Sequence, residues 1–305
     1  MWIVGRGGFL GSSLALAAIE HGYSVLPQTT IPWHSPTQRR LALEKAAEQF
    51  RIFSKDRSPT VVWAAGSEGV GALHSHQTGE YEAFLDFVTI ISKIEGLHGA
   101  SVVVISSAGG VLGGSPSPPF SFRSPVHAIN QYGRNKIAIE KATASDLLSD
   151  FQVHIARITN LYGPWSGPRQ GLINRMCTAA ATREALQIYV PLETVRDYIY
   201  VADAAKLLLL EMDTISSGTD QDSPAISLIG SGENSSIGTV INTVSHVSRR
   251  RIPITMARLE ATHLQPRDLR MNPSWIERGI QFEPFPLSAG VKKLFDSMIT
   301  VPRWN

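Results

Sequence analysis

A single cysteine, Cys177, stands in 305 residues, so no internal disulfide can form and the apolar core must hold the chain. Net charge is nearly absent too. The 28 Lys and Arg against 26 Asp and Glu leave +2, too little to make nucleic acid or a membrane surface the expected partner. No apolar run approaches the ~18 residues of a membrane helix; Lys206 and Glu211 bracket Leu207 to Leu210. Met1-Trp2-Ile3-Val4 enters a glycine cluster without the basic and apolar regions of a secretory leader, so a cytosolic protein is expected. His74 and His76 share a polar loop with no evident third ligand, so no metal is expected. Cys177, on a predicted helix near no obvious base, reads as a packing residue.

What is present is alternation. Candidate strands at Trp2–Val4, Tyr23–Leu26, Thr60–Ala64, Ser101–Ser106 and Gln152–Thr159 are separated by helix-length segments Phe9–His21, Pro36–Phe53, Gln77–Leu97 and Asn130–Ser149. Val61-Val62-Trp63-Ala64 and Val102-Val103-Val104-Ile105 do not alternate with polar residues, as befits strands covered on both faces. The expected fold class is α/β: a doubly wound parallel (Rossmann) sheet with a smaller C-terminal α/β domain on its carboxyl edge. The expected boundaries are a dinucleotide-binding domain over 1–163, rejoined by part of 194–228, and a substrate domain within 164–305. The turn-rich Gly163-Pro164-Trp165-Ser166-Gly167-Pro168 is the joint, and later helices are predicted at Ser236–Arg249 and Leu287–Ile299.

Gly5-Arg6-Gly7-Gly8-Phe9-Leu10-Gly11 follows the first strand and opens the first helix. Glycines at 5, 8 and 11 serve a tight turn, close approach to a pyrophosphate and close helix packing, and the helix N-terminus faces the phosphates. NAD or NADP is therefore expected. An acid after the second strand would favour NAD, but that strand ends Leu26-Pro27-Gln28-Thr29-Thr30. Arg6, Arg39 and Arg40 are candidates for a 2′-phosphate, so the preference stays open. Trp33 is a candidate neighbour of adenine.

Tyr132 and Lys136 are four residues apart and share one face of a predicted helix. A phenol of ordinary pKa, roughly 10, is a poor base at neutral pH, and a nearby cation favours its ionised form. Upstream, Ile105-Ser106-Ser107-Ala108-Gly109-Gly110 ends a sheet strand, where open α/β sheets carry their chemistry.

Glycine turn, serine after a strand and Tyr-x-x-x-Lys in this order resemble the extended short-chain dehydrogenase/reductases of the NAD-dependent epimerase/dehydratase family. The resemblance implies Tyr132 as acid/base, Lys136 as the group that lowers its pKa and holds the nicotinamide ribose, and Ser107 at the reacting oxygen, with Ser106 as the alternative serine. It also implies that Ala64-Ala65-Gly66 lines the cofactor. Arg157-Ile158-Thr159-Asn160-Leu161-Tyr162-Gly163-Pro164, Arg196-Asp197-Tyr198 and Pro266-Arg267-Asp268 resemble further family motifs, and implicate Asn160, Arg196 and Arg267 at a substrate diphosphate. Gln170-Gly171-Leu172-Ile173-Asn174 sits where the family contacts the nucleotide, which implicates Leu172 and Asn174. A nucleotide-sugar substrate, a homodimer through the helices at 77–97 and 130–149, and a place in surface polysaccharide assembly follow from the resemblance alone.

The chain departs from the family in Leu112, where a tyrosine is usual, and in a proline-rich run, Gly114-Ser115-Pro116-Ser117-Pro118-Pro119, readable as a pocket rim or as a surface loop. Elimination of water needs carboxylates beside the serine; Ala108-Gly109 offers none. C4 epimerisation is placed first and reduction of a 4-keto sugar by NADPH second, with a non-catalytic NAD(P)-binding regulator as a third reading.

Overall fold

The computed structural model describes residues 1–55, 57–66, 78–167, 171–216, 222–257 and 265–300. The histidines at 74 and 76 and Gln170 lie outside these residues. In chain order the first half runs β1 (Trp2–Val4), α1 (Phe9–Glu20), α2 (Pro36–Phe53), β2 (Thr60–Trp63), α3 (Thr78–Ile91), β3 (Ser101–Ser107), α4 (Ala108–Leu112), α5 (Gln131–Asp146) and β4 (Gln152–Ile158). The second half runs β5 (Asn160–Tyr162), α6 (Leu172–Thr182), β6 (Leu186–Ile188), β7 (Val195–Tyr200), α7 (Val201–Ser216) and β8 (Ala225–Ile229). It continues through β9 (Asn234–Ser236), α8 (Ile237–Ser248), β10 (Ile254–Met256), β11 (Asp268–Leu269), α9 (Ser274–Glu277) and α10 (Leu287–Thr300).

The uninterrupted apolar runs form a parallel sheet in the order β1-β2-β3-β4-β8. Successive strand side chains point to opposite faces, and this pleat divides each run between two cores. Val61, Trp63, Val102 and Val104 pack with α2 and α3 residues Leu43, Phe50, Phe84 and Phe87. Val62, Val103, Ala156 and Ile158 pack on the other face with α1 and α7, through Leu14, Ala18, Ala204 and Leu208. The strand expected at Tyr23–Leu26 is not one. The segment lies beside the start of the chain, where Met1 N donates to Ser24 O (2.6 Å) and Leu26 N to Met1 O (2.8 Å), one residue ahead of β1.

The second half returns to the sheet through β8 and covers it with α7, then builds its own core from α6, α8 and α10 around Tyr162, Met176, Val240 and Val291. Cys177 is buried in that core, and burial pushes its thiol up to about 12, as suits a packing residue. Arg250, after the end of α8, donates to the carbonyls of Ala180 (3.1 Å) and Ala181 (2.8 Å) in the last turn of α6, where a cation suits the helix dipole. Among the described residues no helix is long and apolar enough to cross a membrane, and no cluster of possible metal ligands occurs.

One buried network has a pH consequence. Ser227 Oγ donates to Glu211 Oε2 (2.9 Å) and lies 2.9 Å from His154 Nε2, while His154 Nδ1 has no partner. This is the pattern of a neutral imidazole. Burial lowers its pKa from 6.5 to about 3, and the Arg278 guanidinium pushes the same way. The unfolded chain therefore takes up the proton first, so this contribution to stability is complete above about 6.5 and is lost as pH falls toward 3. Calorimetric melting temperatures are expected to fall across that window, and to fall less steeply in His154→Gln.

Candidate active site

Parallel strands bring their carboxyl ends to one rim, where an open α/β sheet holds its ligands. The residues after β1, β2 and β3 line that rim here. Gly5 has a φ of +91°, and a Cβ on it would lie 2.7 Å from the Ala64 carbonyl carbon, so turn and wall meet backbone to backbone. A Cβ on Gly11 would lie 2.2 Å from Gly5 O. Gly8 is the N-cap of α1 and has no side chain to cap it, and the first turn carries no acid. The α1 amides and the positive end of the helix thus suit a pyrophosphate, and the residues present fit a dinucleotide. Phe9, at the head of α1, meets Trp165 of the joint with ring centroids 5.5 Å apart. Leu10 is turned into the core beneath.

At the adenosine end, Arg6 Nη1 donates to Leu26 O at 2.8 Å. A Cβ on Gly7 would lie 2.8 Å from Gln28 Nε2, which sets that amide over the turn. Arg39 and Arg40 are engaged elsewhere: Arg39 is buried and bound to Asp86 Oδ2 through Nε (2.9 Å) and Nη2 (2.5 Å), and Arg40 Nε meets Asp86 Oδ1 at 3.0 Å. Trp33 stands edge-on to Trp63, centroids 6.0 Å apart.

Ser107 ends β3 and caps α4, its Oγ accepting from Gly110 N at 3.2 Å. Asn130 caps α5 in the same way, accepting from Gly133 N at 2.8 Å. The two short caps hold Ser107 and Tyr132 on either side of Gly110. A Cβ there would lie 2.9 Å from Tyr132 Cε1 and 3.2 Å from Ser107 Oγ. Lys136, one turn on, places Nζ 5.8 Å from the Tyr132 ring centroid. Ser106 faces away from this group. Its Oγ donates to Glu140 Oε1 (2.6 Å), and Glu140 is bound by Arg157 through Nη2 (2.8 Å), so that hydroxyl belongs to a buried network. Leu112 is wholly buried in an apolar cluster with Phe120 and Met271. Phe120 also pins the end of the proline-rich run to Met271 by a bridge, and that run is absent from the lining of the cleft described next.

Ile158, opposite Ser107 in the register of β3 and β4, leads within two residues to Asn160. There a cleft of about 360 Å³ opens, lined among others by Asn160, Leu172, Arg175, Gln187, Tyr189, Arg196 and Gln265. Asn160 Nδ2 donates to Asp197 O (2.8 Å) and Arg196 Nη1 to Val195 O (2.8 Å). Burial pulls the Arg196 guanidinium below its ordinary value, with Tyr198 and Asp268 acting against it. Asn174 and Arg267 do not line the cleft. Asn174 is 1% exposed and its amide closes on Gly163, accepting from N (3.2 Å) and donating to O (2.6 Å). Arg267 is exposed, and its carbonyl accepts from Val195 N at 2.8 Å. Sequence reasoning missed Arg175, Gln187, Tyr189 and Gln265. The apolar–polar–apolar alternation of Leu186-Gln187-Ile188 marks a half-buried strand with Gln187 on its open face.

The parallel sheet with its glycine turn defines a Rossmann-type dinucleotide-binding fold. The model of the NAD dependent epimerase/dehydratase family matches residues 1–226. The chain belongs to that family. UDP-glucose 4-epimerase 1 of Oryza sativa subsp. japonica is 23% identical over 290 residues, 84% of this chain and 82% of that protein. The crystal structure of UDP-glucose 4-epimerase from Bifidobacterium longum in complex with NAD+ and UDP matches at a TM-score of 0.75 and 18% identity, covering 99% of this chain and 98% of that one. An NAD dependent NDP-hexosamine 5,6-dehydratase involved in tunicamycin biosynthesis matches at 0.74 and 20% identity, covering 98% and 97%.

The contact between α4 and α5 sets the site and can be probed at two glycines. A Cβ on Gly133 would lie 2.1 Å from Gly110 O, backbone that no rotamer can move, whereas one on Gly109 would meet only Leu269 Cδ1 at 3.6 Å. Gly133→Ala is expected to lose about 1–3 kcal/mol despite the better helix propensity of alanine. Gly109→Ala should stay within roughly 0.5 kcal/mol of the parent. Urea denaturation midpoints check both.

Proposed function

We propose that the protein is an NAD-dependent enzyme that epimerises a nucleotide-diphosphate sugar at C4 through a transient 4-keto form. The observation that carries this reading is the placing of Ser107 and Tyr132 on either side of Gly110, with Lys136 one turn away, at the rim that holds the glycine turn. In this reading Tyr132 Oη takes the proton of the sugar 4-hydroxyl and later returns it. Ser107 Oγ hydrogen-bonds the same oxygen, and Lys136 holds the cofactor ribose beside the phenol. Bound NAD supplies reversible hydride exchange at its nicotinamide ring. The cleft at Asn160, Leu172 and Arg196 receives the nucleotide diphosphate, since a guanidinium fork matches phosphate oxygens. The names of relatives that act on UDP-glucose support the substrate class.

Elimination fits the residues less well. Helix α4 reads Ala-Gly-Gly-Val-Leu and offers no acid, and the buried carboxylates of Glu80 and Glu140 are bound to Lys136 and Arg157. The 4-keto reductase reading draws its support from the lack of an acid after Leu26, where an NAD enzyme would carry one. Asp86 binds Arg39 and Arg40, and Arg6 donates to Leu26 O, so none of the three candidate arginines is aimed at a 2′-phosphate by another phosphate-binding group, and NAD is the cofactor of this reading. A homodimer through α3 and α5 belongs to the same proposal.

Tyr132→Phe is expected to lower turnover of a UDP-hexose by about 10²–10⁴-fold while cofactor binding persists. Unchanged turnover would sink the mechanism. Denaturing the purified protein and identifying the released nucleotide separates the two reactions: bound NAD+ in stoichiometric amount supports epimerisation, and an empty protein that takes up NADPH supports the reductase.

A further inference from the structure

Helix α5 turns a polar stripe inward. Tyr132, Lys136 and Glu140 recur at every fourth position and all three are buried. The apolar part of the buried face is one large residue, Ile139, with the small Ala142 and Thr143 beyond it. Apolar packing is non-directional, and so little of it leaves the place of the helix along the strands loosely set. Directional bonds are needed to set it.

In the register of the sheet, Ser106 of β3 stands opposite Arg157 of β4, one residue before the rim pair of Ser107 and Ile158. Glu140 reaches across the inner pair. Its Oε1 accepts from Ser106 Oγ at 2.6 Å and from Arg157 Nε at 3.1 Å, and its Oε2 accepts from Arg157 Nη2 at 2.8 Å. Glu140, Ser106 and Arg157 are 7%, 3% and 4% exposed. Arg157 Nη1 donates to Phe122 O (3.3 Å), which ties in the segment between α4 and α5. A guanidinium fork fits two carboxylate oxygens at once, so the carboxylate is held in one place and one orientation.

No step of the reaction proposed above uses this group. We infer that Glu140 is a positioning residue of this site: by binding Ser106 and Arg157 it fixes α5 along β3 and β4, and so holds the Tyr132 hydroxyl level with Ser107. The contact of Gly133 with Gly110 sets how near α5 comes to α4. Glu140, two turns beyond Tyr132, sets how far along the sheet the helix lies. The glycine turn lies between β1 and α1, and the cleft at Asn160 is lined by no residue of α5 or β3. The inference deepens the proposed function and rests on it for its kinetic test, but not for its structural one.

Glu140→Gln keeps the outline of the side chain but sets an amide N–H2 among donors. Its kcat with a UDP-hexose should fall about 10–100-fold, as misplacement by an ångström brings, while KM and the dissociation constant of NAD stay within about threefold. In Tyr132→Phe the same substitution should cost less than about threefold, because the group it places is gone. A crystal structure of Glu140→Gln should show the distance from Tyr132 Oη to Ser107 Oγ changed by about 1 Å. An equal loss in both backgrounds, a KM or NAD affinity that suffers as much as kcat, or an unchanged Tyr132–Ser107 distance overturns the inference. If Glu140→Gln does not fold with Arg157 left unpaired, Ser106→Ala removes one bond from the same network and should show the same split at smaller size. Unchanged kcat in that variant also overturns it. A parent protein that does not turn over a UDP-hexose sinks the assigned reaction instead, and the measured distance then decides the placement by itself.

Discussion

One backbone contact governs the geometry of the site. Helix α5 can lie against α4 only because Gly133 presents no side chain to the carbonyl of Gly110, and because Gly110 presents none to the ring of Tyr132. That approach brings the phenol over the end of β3, where Ser107 waits, and carries Lys136 in behind it. The juxtaposition depends on two Cβ atoms that are not there. Interiors are close-packed, so nothing else could bring the helices so near.

Besides the apolar packing of α7 and β8 on the first half, buried polar bonds tie the second half of the chain to this rim. Asp197 is fully buried and accepts from Thr159 Oγ1 (2.6 Å), Ser231 N (3.0 Å) and Gly232 N (2.7 Å). Burial raises its pKa while these bonds work to lower it. Asn174 closes on Gly163 from the other side of the joint. Both side chains fall within or beside the motifs that suggested substrate contacts, and both serve to hold those motifs in place. Buried polar groups placed so are satisfied by fixed partners, which makes them precise spacers.

Most of the fold was legible because its signal is local. The runs at 61–64 and 102–105 have the length and composition of strands covered on both faces, and α2 fills Pro36–Phe53 as the sequence indicated. The glycine turn and the Tyr132–Lys136 spacing are local too. What stayed hidden was pairing between distant positions. Arg39 and Asp86 are 47 residues apart, and Lys136 and Glu80 are 56 apart. Nothing in the neighbourhood of either arginine or lysine announces its acid. The Tyr23–Leu26 segment was misread for the opposite reason, since its residues suit a strand but the bonds it makes beside the sheet are to Met1, ahead of β1.

The two adjacent glycines of α4 differ in what they permit. Position 110 is closed on both sides, and position 108 points into an apolar cluster, but position 109 has room and an ordinary backbone angle. A scaffold of this kind keeps Ser107 and Tyr132 fixed against each other while leaving one tolerant position two residues from the serine. A side chain could be added there without disturbing the helix contact, so the tolerance of α4 to change is concentrated at one position.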